Sequence, residues 1–408
     1  MSSTVMPRRR LVAAVTVTLA ATLGVTTLSA PAFAAPVVVA VASTGESAQL
    51  AVIEHNVPAV ANLDRPGPFV LTWKIGPGPV TGWITVTHVK TGIQSSTSVD
   101  TSTNDPWFAP SLDLQRKVGS GALPNGDYTW NVDVNPATGT GAGLSASGTF
   151  KIARATKPHD FNDNGAADLL SRDSSGTLWR HDSDVSTVKV GTGWQVYDRI
   201  EAAGNLGGSA VGDVLGRDGG GTLWLHKGVG DGTFAPGRIK VGIGWNAYNH
   251  LAAGSDVTGD GLPDLVGIDK SGVLRVHTGT GSTLAPFAPG RKSAGAGWGV
   301  YNEIAAVGNL AGAAAGDLVA RDRNGVLWLH LGKGDGTFAP RTRIGAGWNA
   351  YSQIVGVGDD NRDGRPDLIG VGANRPFFYK GLGDWKYPLS VAEERSSYAG
   401  NPPYNTFA

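Results

Sequence analysis

Three short segments of this 408-residue chain place oxygen-bearing side chains at positions one, three, five and nine of a loop, with glycine at position six. They read Asp160-x-Asn162-x-Asn164-Gly165-x-x-Asp168, Asp256-x-Thr258-x-Asp260-Gly261-x-x-Asp264 and Asp359-x-Asn361-x-Asp363-Gly364-x-x-Asp367, each followed by leucine. A hard divalent cation takes about six to eight oxygen ligands, and a tight loop can offer carboxylates, amides, a hydroxyl and the position-seven carbonyl together. Glycine at six permits the sharp bend this requires. The expected chemistry is calcium binding at about three sites, with the position-nine aspartate closing each. Residues of these types also favour plain turns without an ion. Recurrence in phase with a longer repeat decides for calcium. Two sister segments, Asn205-x-Gly207-x-Ser209 to Asp213 and Asn309-x-Ala311-x-Ala313 to Asp317, keep position nine but have lost the other acids. They are expected to be hydrogen-bonded turns.

A second constellation is aromatic. Gly-Trp-x-x-Tyr recurs at Trp194/Tyr197, Trp245/Tyr248, Trp298/Tyr301 and Trp348/Tyr351, at spacings of 51, 53 and 50 residues. An exposed ring of such faces could stack on sugars. The same motif in every unit equally fits wedges packed between neighbouring units. A Leu-x-x-His strand ends at His181, His226, His277 and His330. A ring of metal-binding or catalytic histidines is one reading, and buried hydrogen-bonded strand histidines are the favoured one.

These residues need a periodic frame. From Lys157 onward the chain repeats about every 50 residues with three or four short strands per unit, and Gly-Asp-Gly-Thr-Phe-Ala-Pro occurs at Gly230–Pro236 and again at Gly334–Pro340. That period predicts β-propeller blades, five in number over residues 157–408. Residues 36–155 carry non-repeating strand patterns at Gln49–Ile53, Phe69–Ile75, Trp83–His88, Tyr128–Val134 and Thr149–Ile152. They predict an immunoglobulin-like β-sandwich, so the fold class is all-β.

Arg8-Arg9-Arg10, the apolar run from Leu11 to Leu23 and the small-residue site Ala32-Phe33-Ala34 are laid out as a secretory signal peptide over residues 1–34, so the protein is expected to be secreted. No second apolar run of membrane length follows. Taking those three arginines from the 34 basic residues leaves 31 against 34 acidic ones, which excludes a nucleic-acid footprint. The chain has no cysteine, which excludes disulfides and thiol chemistry. No Gly-x-Ser-x-Gly elbow, His-Glu-x-x-His or phosphate loop is present, so binding is favoured over catalysis. Glu201 and Glu303 stand at equivalent places in two units, and are the first acids to test if turnover exists.

The Asp-x-Asn-x-Asp-Gly-x-x-Asp-Leu loops, the Leu-Trp-Leu-His strand and the Gly-Asp-Gly-Thr-Phe segment resemble FG-GAP repeats, also called VCBS-type repeats, over roughly Pro158 to Leu389. Integrin α-subunit heads and many secreted bacterial proteins carry them. The resemblance implies a propeller with calcium held in loops at one face. It implies no particular ligand. The expected role is a binding or adhesion protein for an extracellular glycan or protein. The alternatives are a polysaccharide hydrolase or lyase on a propeller scaffold, and a modulator that docks onto a secreted enzyme. The first unit lacks an opening strand. The tail around Ser396–Asn401 is expected to supply it, with Thr149–Ala153 as the other donor.

Overall fold

The structure is a computed structural model, and it describes residues 49–64, 67–100, 109–115, 123–155, 157–182, 187–209, 211–372, 375–394 and 404–408. The expected signal segment, residues 1–34, and Ser396–Asn401 lie outside these. The molecule is all-β; among the described residues its only helices are four single 3-10 turns.

The N-terminal region holds two sheets. Val60–Asn62, Leu144–Ala153, Gly126–Pro136, Val80–His88 and Gln94–Asp100 form one, and Ala51–His55, Val70–Gly76 and Ser111–Asp113 the other. Alternate residues of Val70–Gly76 and Gly126–Pro136 turn inward, placing Leu71, Trp73, Tyr128 and Trp130 in one shared core.

Five four-stranded antiparallel sheets follow among the described residues. The second is typical: Tyr197–Gly204, Asp213–Asp218, Leu223–His226 and Ile239–Gly242 in spatial order. Middle strands such as Asp264–Asp269 are buried along their whole length, because both faces of the sheet are covered. Five apolar clusters lie between neighbouring sheets. Leu215, Leu225, Trp245 and Leu251 bridge the second and third. Leu169, Val355, Ile369 and Phe407 bridge the last and the first, so the sheets close into a propeller.

Closure comes from the C-terminus. Tyr404–Phe407 pairs antiparallel with Asp168–Asp173, occupying in the first sheet the place Tyr197–Gly204 holds in the second. Ala408 and Leu170 exchange both backbone hydrogen bonds, at 2.8 and 2.9 Å. The closing strand therefore lies beyond the expected Ser396–Asn401, and Thr149–Ala153 pairs within the N-terminal sheet instead. The reason is phase. Tyr404 stands 53 residues after Tyr351 and heads its strand as Tyr197, Tyr248 and Tyr301 head theirs.

Deleting residues 404–408 is expected to lower the melting temperature sharply, since it strips one edge of the first sheet and opens the ring. Phe407→Ala, at a site 5% exposed, should cost about 3–5 kcal/mol in denaturant unfolding. An unchanged midpoint for either variant would mean that the ring does not depend on this strand.

Candidate functional site

In the three acid-bearing loops the chain curls around its first aspartate. Asp160 Oδ1 and Oδ2 accept the N–H groups of Asn164 and Gly165 at 3.0 and 2.7 Å. Asp256 accepts those of Asp260 and Gly261 at 3.2 and 2.8 Å, and Asp359 those of Asp363 and Gly364 at 2.9 and 3.1 Å. The curl needs left-handed backbone at positions four and six. Glycine supplies position six each time, at φ 80°, 86° and 88°. At position four, Asp163 and Arg362 adopt φ 60° and 62° and are the only non-glycine residues with positive φ among those described. The two sister loops are shaped differently. Asn309 turns its amide onto the Ala313 carbonyl, and Ser209 bonds Asp213.

The position-nine aspartates have a second occupation, common to loops with and without acids. One oxygen takes N–H groups from the loop start: Phe161 on Asp168, Gly207 on Asp213, Val257 on Asp264, Ala311 on Asp317 and Asp360 on Asp367, all at 2.6–3.0 Å. In the last four units the other oxygen takes a glycine N–H from the next hairpin, from Gly228, Gly279, Gly332 and Gly381. Those glycines are obligatory. A Cβ at any of them would sit 2.1–2.2 Å from a backbone oxygen of the residue just before the aspartate. In the first unit Arg180 approaches Asp168 instead, at 3.9 Å, and forks onto Asp182.

Fit to a cation differs among the loops. The donors are all oxygens, and burial pushes Asp160 and Asp367 up to about 7 and Asp264 up to about 6. Among the described residues no three His, Cys, Asp or Glu side chains are gathered around one point, so an ion would lean on Asn162, Asn164, Thr258, Asn361 and carbonyls beside the acids. Lysines already stand on the fifth loop, Lys157 on Asp359 at 3.2 Å and Lys380 on Asp363 at 3.0 Å. No lysine or arginine among the described residues pairs with Asp256, Asp260 or Asp264.

The aromatic motifs lie between sheets. Trp194, Trp245, Trp298 and Trp348 are 6–8% exposed. Tyr197, Tyr248 and Tyr301 are buried and Tyr351 half-buried. Their ring faces do not form an exposed stacking surface. Trp194, Trp245 and Trp298 lie against His226, His277 and His330 at centroid distances of 4.5, 4.6 and 4.2 Å. The following tyrosine hydroxyls meet the same histidines at Nε2, at 2.8, 2.7 and 2.9 Å. Arg238, Arg291 and Arg341 each donate to that hydroxyl at 2.9–3.1 Å. Phe234, Phe287 and Phe338 complete the groups. Around Trp194, His226, Phe234 and Arg238 this leaves an open cleft of 380 Å³. The arginines and phenylalanines were not legible as site residues, because each lies in a hairpin whose length varies between units. At Trp348 the histidine is replaced by Tyr379, whose hydroxyl lies 2.5 Å from that of Tyr351.

Glu201 and Glu303 are not surface acids. They line the axis of the ring, where Arg199 donates to Glu201 at 2.5 Å and stands 3.9 Å from Glu303, beside a cavity of 30 Å³, room for about one water. A larger cavity of 740 Å³ is bounded by the first and fifth loops and by Asp64, Arg154 and His159. Its carboxylates are engaged: Asp64 accepts the Ala155 N–H, and Asp359 and Asp363 carry the lysines.

Residues 315–370, from the end of the fourth loop into the strand after the fifth, match the FG-GAP-like repeat family. The chain is a β-propeller that carries an FG-GAP-like repeat over those residues. No curated protein matches its sequence. Among solved structures, AofleA from Arthrobotrys oligospora is 12% identical, with a TM-score of 0.34 over 66% of this chain and 81% of that one. The fungal lectin of Aleuria aurantia, a six-bladed β-propeller described with a fucose recognition mode, is 9% identical, with a TM-score of 0.34 over 68% and 92%. These scores are too low for either protein's blade count or ligand to pass to this chain.

Asp317→Ala bares the buried N–H groups of Ala311 and Gly332, and should cost roughly 1–3 kcal/mol for each in denaturant unfolding. Asp213→Ala should behave alike, since its loop, like that of Asp317, has no acid but the latch. A cost near zero would remove the latch role. The histidines give a pH signature. Burial pushes His226, His277 and His330 down to about 4 from an ordinary 6.5. The stability they contribute is whole above pH 6.5 and is lost as pH falls from 6.5 toward 4, since the unfolded chain takes up protons first. The melting temperature should drop through that window, and His277→Asn should flatten part of the drop.

Proposed function

We propose that this chain is a secreted FG-GAP repeat protein that binds extracellular carbohydrate through a five-bladed, calcium-stabilised propeller, to which an immunoglobulin-like sandwich is joined. The observation that carries the binding reading is the cleft at Trp194, whose aromatic and polar groups recur with the same contacts at Trp245 and Trp298. Apolar edges with a few fixed polar groups are what a sugar ring requires. Binding without turnover is supported by the occupation of the acids that could do hydrolysis: Glu201 and Glu303 share Arg199, and those of the large cavity are hydrogen-bonded or ion-paired. The test is retention of the purified protein on insoluble polysaccharides, with assays for released reducing ends. Retention without release is expected, and release of soluble products would replace the binder with an enzyme.

Calcium enters through the loops. Asp160, Asn162 and Asn164 would hold it in the first, Asp256, Thr258 and Asp260 in the third, and Asp359, Asn361 and Asp363 in the fifth, with Asp168, Asp264 and Asp367 adding charge behind them. Bound there it supplies fixed positive charge that ties each loop together. The third loop, whose acids carry no lysine, should bind most tightly, and the fifth should first have to release Lys157 and Lys380. Each site adds about 1.4 kcal/mol when calcium stands at about ten times its dissociation constant. A calcium titration of melting temperature should therefore show stabilisation that Asp260→Ala reduces and Asn309→Ala does not. Equal effects of the two variants, or no stabilisation by calcium, would remove the ion from the proposal.

A further inference from the structure

The polar side chains that line the cleft between the first and second sheets, Trp194, His226 and Arg238, can all donate. Arg238 has no acceptor atom, so it donates to the Tyr197 hydroxyl, whose one other partner among the described residues is Nε2 of His226. With Nε2 accepting, the neutral imidazole carries its hydrogen on Nδ1. Among the described residues no side chain or carbonyl takes that hydrogen, and His226 lines the cleft. The remaining lining residues, Val190, Trp194, Phe234, Ala235 and Gly237, bring no side-chain acceptor. The guanidinium lies 4.0 Å over the Trp224 ring and makes no ion pair among the described residues. A neutral sugar hydroxyl is both donor and acceptor, and is best met by a mixed set of partners. A pocket of donors with a fixed cation suits a ligand that only accepts.

The same relay recurs twice. Arg291, Tyr248 and His277 repeat it, as do Arg341, Tyr301 and His330, with Arg341 4.1 Å over the Trp328 ring. It is absent at Trp348, where Tyr379 replaces the histidine, Leu389 the phenylalanine, and Glu393 stands four residues after Leu389 as Arg238 stands four after Phe234.

We propose that the cleft at Arg238 and the corresponding places at Arg291, with Arg275 where the others have a tryptophan, and at Arg341 are three sites for acidic sugar residues, pyranoses bearing a carboxylate or a sulfate. The anionic group takes the guanidinium and the histidine Nδ1–H, and the ring lies along the edges of the tryptophan and phenylalanine. This rests on the carbohydrate-binding reading and narrows it to acidic polysaccharide. Three sites on one rigid ring make binding multivalent, so a repeating polymer is held far more tightly than its monomer.

The experiment compares retention of the full-length protein on immobilised polygalacturonate, dextran sulfate and unmodified dextran, with salt elution. Retention on polygalacturonate, on dextran sulfate or on both, and not on dextran, is expected, with release as salt rises. The first two arms tell carboxylate from sulfate. Arg238→Gln, Arg291→Gln and Arg341→Gln together should abolish it, and each alone should weaken binding of the polymer about tenfold or more. The single variants keep the test readable if the triple variant does not fold, and unchanged melting in them separates a binding loss from a folding loss. Equal retention on dextran, or full retention of the triple variant, would overturn the acidic-sugar assignment and leave carbohydrate binding standing. Retention on no glycan would overturn both.

Discussion

One buried carboxylate per unit holds the repeat together. The position-nine aspartate gathers an N–H from the loop start and, in four units, a glycine N–H from the following hairpin. Three consecutive pieces of chain therefore meet at one charge, which only a bare glycine can approach so closely. The consequence reaches the cleft. Gly228 is bridged to Phe234, Gly279 to Phe287 and Gly332 to Phe338. The aspartate thus sets the base of the hairpin that carries the phenylalanine and, a few residues on, the arginine. A backbone hydrogen bond to a charged oxygen is stronger than a neutral one, which suits a latch that must hold a hairpin with almost no strand of its own.

The first unit departs from this pattern and shows what the latch is for. It has no Gly-Asp-Gly-Thr-Phe hairpin. Arg180, forked onto Asp182, comes up to Asp168 where the other units use a glycine N–H. Its inner strand arrives from the far end of the chain, with Tyr404 against His181 at 5.1 Å as Tyr197 lies against His226 at 5.5 Å. The tyrosine–histidine contact is kept where the hairpin is not, although Asn401 stands where the other units have the tryptophan, because every pair of adjacent sheets must bury its faces whether or not a cleft is built there.

Much of this was legible in the period. Leucines after each loop, the Gly-Trp-x-x-Tyr wedge and the Leu-x-x-His strand recur at nearly constant spacing, and each recurrence marks a packing contact. Tyr404 obeyed the same spacing, yet a four-residue resemblance at Tyr398–Asn401 drew the closing strand too early, since short glycine-containing matches carry little phase information. The acids of the loops were equally legible as a pattern. Their partners were not, because Lys157 and Lys380 come from outside the loop and meet it only in three dimensions. Glu201 and Glu303 illustrate the same limit. Inner-strand residues alternate between neighbouring sheets and the axis, and no local pattern says that two glutamates a hundred residues apart converge on Arg199.

Acid-bearing loops and complete clefts are distributed over the sheets by different rules. The loop acids belong to the first, third and fifth sheets, each loop leading into the strand that starts at its position-nine aspartate, whereas the relay of arginine, tyrosine and histidine occurs in the second, third and fourth. Only the third sheet has both. The second and fourth build the full relay on loops whose sole acid is the latch aspartate, with Tyr197 and Tyr301 meeting their histidines at 2.8 and 2.9 Å. The fifth has an acid-rich loop and no relay. Cleft geometry therefore does not require the loop acids; it requires the latch, which every one of these sheets retains. An ion held in the loops would bear on the stability of the ring, whereas the arginine, tyrosine and histidine of each relay come from hairpin and strand residues that the loops do not supply.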